Sequence, residues 1–486
     1  MASWKLIQGG MGVGVSGWRL ARVVSKAGQL GVVSGTGLAA LLARRLQNGD
    51  AGGHMRRAIS HFPIPGVAER ILDCHFIDGG RPADEPFILT TQPRLSSGVA
   101  FTELTVVANF VEVYLAKEGH DGSVGINYLE KVQIPTLPSI FGAMLAGVDV
   151  ILMGAGIPRF IPGVLDAFAE GKPAELHIQV EDAGDRQFIS QFDPSHFCEG
   201  QAPPLSRPLF LAIISSATLA MTLARKSNGR VDGFIVEAPC AGGHNAPPRG
   251  QHHLSPSGEP VYGPRDEVDL DKLRALELPF WLAGGFATPE QLANALALGA
   301  VGVQVGTLFA FSHESDLTPA IKQQVLEQSR RHEVTVFTDP LASPTGFPFK
   351  VVQTSGSLSD HDLYVQRPRI CDLAYLCRPY LRPDGVVGYR CPAEPEAHYV
   401  KKGGDIADTI GRKCVCNALF GSIGLGQVQP SGDLELALVT AGDDVAHIAR
   451  LIAPGQDSYS AMDVVRYMLA APASAVIIEP SAEQKV

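Results

Sequence analysis

Eight short, near-continuously apolar runs constrain this chain more than any other feature. They fall at residues 5–8, 31–34, 124–127, 148–153, 209–215, 233–237, 279–283 and 301–305. A strand with one wet face alternates apolar and polar residues, whereas a run apolar throughout fits a parallel strand covered on both faces. Parallel neighbours need crossovers, and helical patterns stand between many of the runs, at 18–27, 102–118, 137–146, 217–226, 268–276 and 289–298. The last has Thr288 as N-cap, Pro289 at the first helical position and Gly299 just past its end. Eight such units over about 300 residues predict an α/β fold, a (β/α)8 TIM barrel.

The 486 residues exceed one barrel. A barrel over 1–352 accounts for the eight units, with insertions expected at about 50–100 and at 172–207, the latter over the barrel mouth and containing a ninth strand at 175–181. Residues 312–352 read as closing helix and loop. From about 353 the pattern weakens into an Arg-, Pro- and Cys-rich appendage that ends in a helix over 460–470.

Apolar residues make up 45% and charged residues 19%, which excludes a disordered chain. The net charge of −10 and the lack of a basic run argue against a nucleic-acid partner. No uncharged apolar stretch approaches the roughly 18–20 residues of a membrane span, since the richest, 140–157, is broken by Asp149 and by glycines. With no signal-peptide pattern at residues 4–7, the expectation is a cytoplasmic protein without a membrane partner. Self-association into a homo-oligomer is left open.

Glycine clusters at strand ends carry the chemistry. Gly12, Gly14 and Gly17 match G-x-G-x-x-G, but a doubly wound dinucleotide site also needs an acidic residue after the second strand. That position reads Val32-Val33-Ser34-Gly35-Thr36-Gly37, and the first acidic residue is Asp50. In a barrel, the glycines after strand one instead allow a flat ring to lie against the backbone. Ala283-Gly284-Gly285-Phe286 and Gln304-Val305-Gly306-Thr307 end the seventh and eighth runs. There a barrel holds phosphate with backbone N–H groups, and Thr307 adds a hydroxyl. His244, in Ala241-Gly242-Gly243-His244 after the sixth run, projects over the same mouth as a candidate general base. Cys240 reads as loop packing, and Asn127 ends the third run at the ligand-binding face.

These motifs, taken in order, resemble the nitronate monooxygenases, formerly 2-nitropropane dioxygenases, a family whose pattern the FMN-dependent enoyl reductases share. The resemblance covers residues 4–350 and implies FMN as cofactor. It places Gln8, Gly9, Gly10, Met11 and Asn127 by the flavin ring, and Ala283, Gly284, Gly285, Phe286, Gln304, Val305, Gly306 and Thr307 at the phosphate. It makes His244 the catalytic base or substrate-positioning group. The implied reaction is oxidation of a small alkyl nitronate with O2. The alternatives are an NAD(P)H-dependent enoyl reductase and a non-catalytic FMN-binding subunit. The family's usual Glu-Ala-Gly-Gly-His is stretched here to Glu237-Ala238-Pro239-Cys240-Ala241-Gly242-Gly243-His244.

Cys371, Cys377, Cys391, Cys414 and Cys416 crowd into the appendage, but their spacings contain no C-x2-C knuckle. The expectation is reduced cysteines and no metal site.

Overall fold

The computed structural model describes residues 4–251 and 253–472. All eight apolar runs are strands, within two residues of the expected bounds: β1 (Leu6–Gln8), β2 (Gly31–Ser34), β3 (Val124–Leu129), β4 (Val150–Gly154), β5 (Leu209–Ile214), β6 (Gly233–Glu237), β7 (Phe280–Ala283) and β8 (Gly302–Val305). Each pairs in parallel with its sequence neighbour from β2 to β8, and β8 pairs with β1. The ring closes between β1 and β2. The Gln8 N–H donates to Leu30 O (2.9 Å), and the Leu30 N–H donates to Leu6 O (3.2 Å). Closure removes the exposed edges that an open sheet would leave.

Alternation along the strands sorts the apolar residues into two cores. Ile7, Val32, Leu152, Leu211, Ile235 and Trp281 fill the barrel, while Ile126, Ile151, Phe210 and Val303 face the surrounding helices. Trp281 is fully buried and its indole N–H donates to Trp4 O (2.9 Å), which fills the lower barrel without an unpaired donor. The helix at Pro289–Ala297 starts where its cap residues predict, with Thr288 Oγ1 accepting from the Gln291 N–H (3.2 Å).

The helix Val99–Lys117 is long and apolar enough to cross a membrane by composition, and 78% of its apolar window is buried inside the protein. It is a longer apolar segment than 140–157. Its two glutamates are paired, Glu103 with Arg70 and Glu112 with Arg45, as groups this buried require.

The insertions depart from expectation in detail. The run at 175–181 forms Ala174–Ile178, antiparallel to Phe188–Phe192, outside the barrel sheet. This hairpin does not roof the mouth. Phe192 packs on Phe141 and Phe168 of the outer helices, with ring centroids 4.9 and 5.6 Å away. Residues 50–100 hold the helices His54–Ile59 and Pro65–His75, then an irregular stretch pinned by Gln47 to both backbone groups of Ile88. After the helix Pro319–Arg330 comes an antiparallel pair, Val336–Asp339 with Phe349–Val352, where the sequence suggests a loop.

Residues beyond 353 share the barrel's outer core. Phe420, Leu438, Ala441, Val445 and Tyr459 belong to the same buried cluster as the barrel helices, and the Tyr459 hydroxyl donates to Leu308 O (2.6 Å). The last helix is Ala461–Met468, capped reciprocally by Ser460 and Asp463.

Candidate functional site

Strand register, more than any loop, sets the floor of the mouth. Ser34 lies opposite Asn127, Asn127 opposite Leu152, Glu237 opposite Ala283, and Ala283 opposite Gln304. Inward-facing residues at one register therefore form a single layer at the C-terminal ends of the strands. Above this layer opens a cavity of about 1180 Å³ counting its entrance, large enough for a cofactor-sized ligand.

Most of the expected residues meet there. Gly9, Gly10, Met11, Asn127, His244, Ala283, Gly284, Phe286, Gln304, Val305, Gly306 and Thr307 all line the cavity. Gln8 and Gly285 do not. Gln8 is fully buried and engaged in closing the barrel: its amide donates to Gly9 O (2.8 Å) and Ser16 Oγ (3.1 Å), and its carbonyl accepts from the Val32 N–H (2.9 Å). A polar residue at a strand end can serve either use, and only the partner strand decides between them.

The glycines are required by space. Gly284 and Gly285 have φ of +80° and +75°, and a Cβ on Gly284 would lie 3.0 Å from Ala238 O and 3.1 Å from Ala241 N. A Cβ on Gly306 would lie 3.0 Å from Met11 Sδ, and one on Gly10 would run into the Asn127 amide. The Asn127 Oδ1 is buried without a hydrogen-bond partner in the protein, an acceptor aimed where a ligand donor fits.

Both loops are backed by the chain's C-terminal part. The stretched motif after β6 docks on it. Cys240 O accepts from the Asp443 N–H (3.1 Å), and the Gly243 N–H donates to Thr440 Oγ1 (2.9 Å). Thr307 Oγ1 accepts from the Gly442 N–H (2.8 Å), which leaves the Thr307 proton available to a ligand. Leu419, Thr440 and Asp444 complete the wall. Sequence reasoning misses all three, because nothing local marks a residue 100 or more positions away as part of a barrel mouth.

His244 borders the cavity but is otherwise enclosed. Its Nε2 is 2.7 Å from Ser343 Oγ, which lies 2.8 Å from Thr345 Oγ1, and its ring meets Phe349 edge-on at 4.8 Å. Burial pulls its pKa down to about 4, so the ring is neutral near pH 7 and can accept a proton or share one hydrogen bond. Glu237, at the end of β6, stands out in the sequence only as part of the motif. It lines the cavity, and burial pushes its carboxyl up to about 7. Asp444 lines the cavity, and burial raises its pKa, against the lowering by Arg450. No Lys or Arg side chain is among the described residues lining the cavity, so an anionic ligand must rely on backbone N–H groups and hydroxyls.

A family model described as nitronate monooxygenase matches residues 205–345, which include His244, Gly284, Gly285, Gly306 and Thr307. A protein described as a probable nitronate monooxygenase, from Bacillus subtilis (strain 168), is 34% identical over 113 residues, 23% of this chain and 30% of its own length. A (3aS,4S,5R,7aS)-5-hydroxy-7a-methyl-1-oxo-octahydro-1H-indene-4-carboxyl-CoA dehydrogenase from Rhodococcus jostii (strain RHA1) is 28% identical over 144 residues, 30% of this chain and 35% of its own length. The match therefore spans about a third of each of these two relatives. Among solved structures, FabK from Thermotoga maritima aligns with a TM-score of 0.47 at 16% identity, covering 96% of this chain and 92% of its own. Nitroalkane oxidase from Streptomyces ansochromogenes aligns with a TM-score of 0.46 at 14% identity, covering 96% and 94%.

Proposed function

We propose, from the match of a nitronate monooxygenase family model to residues 205–345, that this chain is an FMN-dependent oxidoreductase that oxidises a small alkyl nitronate with O2. The observation that carries this reading is the pairing of two features across one cavity: the glycine cradle after β7 and β8, and the enclosed His244 after β6.

The residues present fit FMN. Gly284 and Gly306 let the two loops close against Ala238, Ala241 and Met11 at the cavity wall, the Thr307 hydroxyl can donate to a phosphate, and the unpartnered Asn127 Oδ1 offers an acceptor to a ring N–H. Gly9 and Gly10 allow a flat ring to approach the backbone beside Met11. One element opposes the phosphate: the Asp444 carboxylate stands on the cavity wall, with no Lys or Arg among the described lining residues to offset it.

When bound, FMN supplies two-electron acceptance from the substrate and reoxidation by O2. The chain's own work is then positional. His244, neutral at working pH, accepts the proton of a nitroalkane Cα–H or donates a hydrogen bond to a nitronate oxygen, while Ser343 orients the ring through Nε2. Glu237 adds a carboxyl that exchanges a proton near pH 7 inside the same cavity. The helix-backed walls from Leu419 and Thr440 limit water around the reacting carbon.

Anaerobic mixing tests the reading. The purified flavoprotein is mixed with propyl-2-nitronate and, separately, with NADPH, while the visible flavin absorption is followed. Bleaching by nitronate and not by NADPH is expected. Bleaching by NADPH alone would overturn the nitronate reading in favour of a reductase, and a colourless purified protein would remove the cofactor.

A further inference from the structure

Of the eight cysteines only Cys240 lines the mouth, and the fold gathers five of the other seven. Cys371 and Cys377 precede the hairpin formed by Arg378–Leu381 and Val387–Arg390, Cys391 follows it, and Cys414 and Cys416 flank the start of the helix Val415–Ser422. All five border one small cavity of about 270 Å³ whose other walls include Leu373, Leu376 and Ala393. The Sγ atoms of Cys371 and Cys377 are 3.7 Å apart, and Cys391 borders the same cavity. All are free thiols.

A lone buried cysteine packs as a small apolar residue. Two thiols in contact, with three more on the same wall, are more sulfur than packing calls for. Pairwise disulfides would leave an odd thiol in the cluster. The 3.7 Å separation instead matches the edge of a tetrahedron, since four Zn–S bonds of about 2.3 Å place their sulfurs roughly 3.8 Å apart. Cys414 has the surroundings of a fourth ligand. It is buried, and Asn417 Nδ2 donates to its Sγ (3.6 Å). Among the described residues no group of three His, Cys, Asp or Glu side chains is placed to hold a metal ion as it stands. Loading therefore requires the thiols to release their protons and turn from one another toward a common centre.

We propose that Cys371, Cys377, Cys391 and Cys414 form a closed tetrathiolate site for a single thiophilic divalent cation, zinc foremost. Binding exchanges four thiol protons, released to solvent, for four metal–sulfur bonds, with no redox change. The ion ties the 378–390 hairpin to the helix Val415–Ser422, and that helix supplies Leu419 to the wall of the flavin cavity. The expected role is structural, because four protein ligands leave no open coordination position.

The test is metal analysis of the full-length protein purified without chelator. Close to one zinc per chain is expected, retained through gel filtration, as a closed four-thiolate site retains it. Cys391→Ser should lose it, whereas Cys74→Ser, at an exposed cysteine, should keep it. Should Cys391→Ser fail to fold, the wild-type chain is stripped under reducing conditions and titrated with Co²⁺. A thiolate-to-cobalt charge-transfer band and a raised melting temperature are expected. Metal-free purified protein that also gives no such band overturns the proposal, and iron with acid-labile sulfide overturns the mononuclear site in favour of a cluster. Neither readout depends on flavin or turnover, so this proposal and the oxidoreductase reading fail separately.

Discussion

Replacing Gly284 by alanine should weaken flavin binding by more than its effect on stability accounts for. Its φ of +80° costs an L-residue about 1–2 kcal/mol by itself. Gly356 provides the control, with φ of +75° and nothing within 4 Å of where a Cβ would stand, so Gly356→Ala carries the conformational cost alone. Gly284→Ala adds contacts of 3.0 and 3.1 Å to Ala238 O and Ala241 N. Both are backbone atoms, so the loop that carries His244 has to move rather than a side chain. The loop is also tied to β7, because the Ala238 N–H donates to Ala283 O (2.9 Å). A shift that breaks one charge-assisted bond to phosphate removes about 1.5–3 kcal/mol, or roughly 10- to 100-fold in Kd. Both variants should lose a few degrees of melting temperature in the absence of flavin, and only Gly284→Ala should lose affinity in a fluorescence titration with FMN. Wild-type affinity in Gly284→Ala would refute the cradle.

Three further outcomes follow from the mouth. His244→Ala should keep the flavin spectrum and lose most nitronate turnover, measured by oxygen uptake; unchanged turnover would remove His244 from the chemistry. Asp444→Asn removes a carboxylate charge from the cavity wall, and should tighten FMN by up to about tenfold, or about 1.4 kcal/mol; weaker binding would show that Asp444 helps to build the cradle. The pH dependence of stability has two opposing parts. His244, about 4 when folded against 6.5 as its ordinary value, contributes stability that is lost as pH falls from 6.5 toward 4. Glu237, about 7 when folded against 4.5, contributes stability that is present below 4.5 and lost as pH rises through 7. The two slopes nearly cancel between 4.5 and 6.5, so Glu237→Gln should uncover an acid-side loss of at most about 3 kcal/mol in urea unfolding. An unchanged slope would place the two groups in a wetter site than their enclosure implies.

What was legible in the sequence was whatever depends on local pattern. The strands were readable because a barrel strand covered on both faces must be apolar throughout, and the helix at Pro289–Ala297 because its cap residues lie within one turn. Gly284, Gly306 and His244 were legible as mouth residues because the ends of such strands share one face of the fold. The tertiary structure alone decided the rest. Whether Gln8 would face a ligand or close the barrel depended on the Val32 N–H across the gap from β1 to β2. The neutral state of Glu237 depends on burial, which involves every element around it. Thr440 and Asp444 reach the mouth only because the chain beyond 353 shares the barrel's core. The five cysteines lacked any short-range ligand spacing, since the hairpin and the turn before Val415–Ser422, rather than a knuckle, bring them together. Local chemistry specified the elements, and contacts between residues far apart in the chain specified what those elements enclose.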